Sequence, residues 1–92
     1  RMREFNGTVY ADDPTAVPSV IVVKPRHGRW LDLTFSSGRH GQFDMAPLLG
    51  KGVFRSLRRR EVFDSVSLVG GAPTWLDGSV DLDPEYLLDS LQ

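Results

Sequence analysis

The chain contains no cysteine. A disulfide scaffold, a thiolate zinc site and a cysteine nucleophile are thereby excluded. The absence is compatible with a reducing cytoplasm, the location expected for it. Long apolar runs are missing too. Stretches such as Val20-Ile21-Val22-Val23 fall far short of the roughly 20 residues a membrane-spanning helix needs, so no membrane association is expected. No signal-peptide pattern opens the chain; Met2 reads as a start residue and Arg1 is set outside the fold. Length is also scarce. A chain of 92 residues makes one small domain that buries roughly 60–65% of the surface its unfolded form exposes. That supports one core and leaves little room for a deep cleft with a supporting shell. Basic residues vanish from the last third: Glu61 to Gln92 holds seven acids and no Lys or Arg, whereas Lys24 to Arg60 holds nine bases against Asp32 and Asp44. The net charge of −1 thus conceals a bipolar chain, whose halves either interleave on folding or leave a basic face for an acidic partner.

The expected fold class is α+β: an antiparallel strand meander with short helices, a second hairpin and a C-terminal helix. Residues 1–17 read as an N-terminal extension, a short strand around Phe5–Tyr10 followed by a loop broken at Pro14 and Pro18. Residues 18–92 read as the domain proper. Ser19–Lys24 is β-branched and apolar at successive positions, which predicts a strand buried on both faces. Arg29–Phe35 alternates, with Leu31, Leu33 and Phe35 on one side and Trp30, Asp32 and Thr34 on the other. Ser36-Ser37-Gly38 fits a hairpin loop with Gly38 at positive φ, and Arg39–Asp44 returns with Phe43 inward. Asp44 is placed to cap a turn through Met45–Leu49, and one or two short helices are expected between 53 and 64. Ser67–Val69 reads as a strand, Gly70–Pro73 as a turn, and Thr74–Asp81 as a hairpin around Asp77-Gly78, a type I′ dipeptide. The clearest signal is the last helix. Asp83 is its N-cap, Pro84 its first residue, Glu85 sits at the positive end of the dipole, and Leu82 and Leu87 are spaced for a hydrophobic staple.

The order of these pieces resembles a known family. Leu33-Thr34-Phe35-Ser36-Ser37-Gly38, Phe43-Asp44, Pro47-Leu48-Leu49, Gly52-Val53-Phe54 with Leu57 and Phe63, and the closing Trp75-Leu76-Asp77-Gly78-Ser79-Val80-Asp81-Leu82-Asp83-Pro84-Glu85 resemble the bacterial family called domain of unknown function 2442, over roughly residues 18–88. Members occur alone, joined to a helix-turn-helix segment, or beside genes that resemble toxin–antitoxin pairs. The resemblance therefore implies a partner-binding or regulatory accessory role and carries over no catalytic residue.

The residue types agree with that expectation. Trp75, Phe35, Phe43 and Phe54 are read as core. Asp77, Asp81, Asp83 and Glu85 lack the spacing of a calcium loop, and His27 and His40 have no visible third ligand. The serines form no nucleophile elbow and the glycines no phosphate loop. No enzyme, cofactor or metal is expected. Arg58-Arg59-Arg60 is the strongest surface feature. On a regular helix consecutive arginines splay around the circumference, but with Lys51 and Arg55 they form a candidate patch for an acidic protein face or for phosphates. Trp30 and His40, on the open face of the meander, complete the candidate partner-binding set. The expected function is a protein-interaction module, regulatory or antitoxin-like, that binds the product of a neighbouring gene. Salt-sensitive nucleic-acid binding through the arginine region and small-ligand binding are the alternatives, and a homodimer is compatible with each.

Overall fold

The computed structural model describes residues 18–92; the strand and loop expected within 1–17 lie outside the described residues. The described residues form two three-stranded antiparallel sheets with short helices between and after them. The first sheet, in order, holds β1 (Val20–Pro25), β2 (Trp30–Phe35) and β3 (His40–Asp44). A 3₁₀ turn at Ala46–Leu48, a 3₁₀ helix at Gly52–Arg58 and α1 (Arg60–Asp64) come next. The second sheet holds β4 (Ser67–Val69), β5 (Ala72–Trp75) and β6 (Val80–Asp81), and α2 (Pro84–Asp89) closes the fold.

The alternation of β2 is realised: Leu31, Leu33 and Phe35 are buried, while Trp30, Asp32 and Thr34 sit half-exposed on the opposite face. Register places Phe43 of β3 opposite Leu31 and His40 opposite Thr34. Gly38 takes φ +92° in the connecting loop, which a side chain would strain. These inward residues join Leu57, Phe63, Trp75, Val80, Leu82 and Leu87 in a single core. Most of the large apolar positions are thereby used on one interior, with Ile21, Val22, Val53, Val69, Leu76 and Tyr86 left exposed.

β1 departs from expectation. Val20 is buried, but Ile21 and Val22 are 55% and 38% exposed. Among the described residues the strand has a neighbour on one side alone, β2, and its register slips between Val20 and Val22. A bulge of this kind adds one residue and reverses the facing of the residues after it. The strand buried through successive residues is β5, where Pro73, Thr74 and Trp75 are all buried. The turn before it is shorter than expected. Gly70 and Gly71 alone make it, at φ +59° and +81°, and Ala72 and Pro73 belong to the strand. A two-residue loop makes Val69–Ala72 the hydrogen-bonded pair. The imide nitrogen of Pro73 then points away from β4, and pairing with β6 starts only at Thr74, so no ladder bond is lost.

The Asp77-Gly78 turn forms with positive φ at both residues, closed by the Ser79 amide donating to the Leu76 carbonyl at 3.1 Å. Leu76 before it also takes φ +54°, a strained setting for a side-chain-bearing residue. The α2 start is as read: the Glu85 amide donates to Asp83 Oδ1 at 3.1 Å and Pro84 opens the helix. Asp44 acts likewise at the earlier turn, where its Oδ1 accepts from the Ala46 amide at 2.9 Å.

Candidate functional site

The five basic candidates fall on three different backbone settings. Gly52–Arg58 is a 3₁₀ helix with three residues per turn, so Arg55 and Arg58, three apart, eclipse on one side. Both are exposed, as is Lys51 just before them. The Arg58 guanidinium lies over the Gly50 turn, 3.7 Å from where a Cβ on Gly50 would stand. Arg59 is extended, at φ −80° and ψ 123°, and breaks the helical path between the 3₁₀ helix and α1. Its guanidinium pairs with Glu61 at 2.7 Å. That hydrogen bond, after one from its own backbone amide, holds the Glu61 carboxyl below its ordinary range.

Arg60 turns inward. It donates to the carbonyls of Gly28 and Arg26, pairs with Asp64 one turn on at 3.0 Å, and lies 5.1 Å over the Phe63 ring. Arg29 approaches the same ring at 5.4 Å and donates to the carbonyls of Leu57 (3.0 Å) and Arg58 (2.6 Å). The two guanidinium groups join the β1–β2 turn to the end of the 3₁₀ helix and to α1. Arg29 carries no local sign of this role in the sequence, since its partners lie 28 and 29 residues away. The consecutive arginines therefore diverge because the backbone breaks at Arg59, not because a regular helix splays them.

The open face of the first sheet gathers Lys24, Arg26, Trp30, Asp32, Thr34, His40 and Gln42. Asp32 lies at its centre and accepts from Arg26 Nε at 2.5 Å and from Gln42 Nε2 at 2.8 Å. These hydrogen bonds, the Arg26 one foremost, hold its carboxyl below the ordinary carboxylate range. His40 is exposed and shares a shallow depression of about 400 Å³ with Asp32 and Gln42. A second depression of about 400 Å³ opens where this face meets α2, between Trp30, Phe43, Asp44, Leu48 and Tyr86. Trp30 and His40 thus belong to two separate hollows, and the basic side chains to a third region. Among the described residues no three of His, Asp and Glu come together as a metal-ion cluster would require, and no helix is long and apolar enough to cross a membrane.

Such a molecule is a small α+β domain with a closed core and with the candidate side chains exposed or half-exposed around it. A family described as protein of unknown function (DUF2442) matches residues 20–91, and the chain belongs to that family. No curated protein and no solved structure matches the chain significantly.

Proposed function

We propose that the domain is a protein-interaction module, regulatory or antitoxin-like, that docks an acidic face of a neighbouring gene's product through Lys51, Arg55 and Arg58. It works in the cytoplasm and has no catalytic role. The observation that supports this reading is the sorting of the arginines. Arg59 and Arg60 are engaged with Glu61, Asp64 and backbone carbonyls, whereas Arg55 and Arg58 stand eclipsed on a 3₁₀ face beside Lys51. Each guanidinium can take a carboxylate bidentately, and Arg is favoured over Lys wherever that geometry matters.

The test is co-expression with the products of adjacent genes. A neighbour is retained with this chain, and retention is lost in the Arg55→Glu/Arg58→Glu double variant but survives Arg59→Ala. Recovery of the chain alone, or retention indifferent to the double variant, overturns the reading. Binding of duplex DNA or RNA that weakens steeply with salt and fails in the same double variant would redirect the ridge to phosphates.

A further inference from the structure

The hollow beside α2 has a chemistry opposite to that of the arginine ridge. Aromatic side chains line part of it, beside Pro47 and Leu48: Trp30 from the open sheet face, and Tyr86, which is 46% exposed and meets Phe43 edge-on at 5.7 Å. Its charge is negative. Asp44 lies directly across the strand pair from Trp30. Its Oδ1 accepts from Ala46, and the other carboxylate oxygen adds negative potential at the rim. The wall opposite is α2, which carries Glu85 and Asp89, in a stretch from Glu61 to Gln92 without Lys or Arg. Ser90, just past the helix, also lines the hollow, so the negative end of the helix dipole adds to the same field. The nearest arginine in sequence, Arg29, has its guanidinium directed to the Leu57 and Arg58 carbonyls.

From this combination we infer that the hollow between Trp30, Tyr86 and Asp44 is a binding site for an alkylammonium group. Aromatic faces present the negative side of their quadrupole, and a carboxylate at the rim adds a full charge; a methylated or primary ammonium answers both. A neutral ligand of the same shape answers only the apolar part. An anion is repelled by Asp44, the charged side chain among the residues that line the hollow. The volume of about 400 Å³ has room for such a group, and is that of a small-molecule pocket rather than of a folded surface. This site is independent of the arginine ridge, so either proposal can fail alone.

The two tryptophans supply a built-in control. Trp75 is 1% exposed and its indole donates to the Phe63 carbonyl at 2.9 Å, whereas Trp30 edges the hollow. Choline is titrated into the ¹⁵N-labelled protein against 3,3-dimethylbutan-1-ol, its uncharged isostere. Choline shifts the Trp30 indole resonance saturably and leaves that of Trp75 in place, and the isostere binds at least several-fold more weakly. Tyr86→Leu weakens choline binding by about two- to fivefold, as loss of one exposed cation–π contact predicts. Asp44→Asn, which keeps an oxygen for the Ala46 amide, weakens it as well. Equal binding of choline and the alcohol, binding indifferent to Asp44→Asn, or an unmoved Trp30 resonance at 0.1 M choline (an experimental ceiling) overturns the inference.

Discussion

The first sheet and the second have the same three-stranded antiparallel plan, but different things hold them. In the first, strands of five or six residues are specified mainly by side chains. β2 alternates between a dry face and a polar one, and a one-residue slip would exchange them. In the second, strands of three, four and two residues are too short for alternation to specify much. Backbone conformation does that work instead: Gly70, Gly71, Leu76, Asp77 and Gly78 all take positive φ around the two connections. Its largest buried side chain is Trp75, stacked on Phe63 at 6.5 Å and hydrogen-bonded to its carbonyl. A sheet can thus be written into side-chain periodicity or into its turns.

The two sheets differ most at their tryptophans, Trp30 in the first and Trp75 in the second. Trp75→Phe removes the indole donor to the buried Phe63 carbonyl and leaves a void where the larger ring stood. An orphaned acceptor and a small cavity together cost about 2–3 kcal/mol. Trp30→Phe, on the open face, costs less than about 0.5 kcal/mol. Urea denaturation of both variants measures the contrast. Similar midpoints for the two would mean that the second sheet has another anchor.

The glycine turns give a smaller effect of the same kind. Gly71→Ala and Gly38→Ala both place a side chain at positive φ, at about 1 kcal/mol each. They differ in what surrounds them. A Cβ at Gly38 meets nothing within 4 Å, whereas one at Gly71 comes within 2.6 Å of Ser19 Cβ. The crowding arises because the Gly71 carbonyl accepts from the Val20 amide at 2.9 Å and ties the second sheet to the start of β1. Gly71→Ala is therefore expected to exceed Gly38→Ala by about 1–2 kcal/mol, with Ser19→Gly restoring part of the difference. Thermal melts of the three variants decide it, and equal losses would show that the two sheets do not depend on this contact.

Legibility in the sequence divides along the same line. The β2 alternation, the Gly38 loop, the Asp77-Gly78 turn and the Asp83-Pro84 helix start are all local, with cause and effect within a few residues. The departures from expectation are non-local. Nothing in Val20–Val23 announces that β1 carries a bulge and leaves Ile21 and Val22 exposed, because that depends on what packs beside it. Nor does Pro73 announce a buried strand; only the register makes a proline acceptable there. At the candidate site, Lys51, Arg55 and Arg58 are legible as a basic cluster, but the 3₁₀ geometry that aligns two of them is not. The inward turn of Arg60 and the whole role of Arg29 depend on carbonyls brought near by folding. Tyr86 gives no sequence signal of its place because it joins Trp30 across 56 positions.

The smallest expected effect lies on the open face of the first sheet, and it has a sign that can be read from pH. Asp32 is held below its ordinary value of 3.8 by its hydrogen bonds to Arg26 and Gln42, aided by the charges of Arg26 and Lys24. A carboxylate whose folded-state pKa is depressed contributes stability that is fully present above the unfolded value and lost as pH falls through the folded one. Asp32 is 31% exposed, so water and salt screen much of the pairing, and the contribution stays below about 1 kcal/mol. The difference in stability between the protein and Asp32→Asn is therefore constant from neutral pH down to about pH 5. It shrinks below 3.8 and narrows everywhere in high salt, where charge pairing is screened. Urea midpoints across that range measure it. A difference that persists unchanged at pH 2 would assign Asp32 to packing rather than charge.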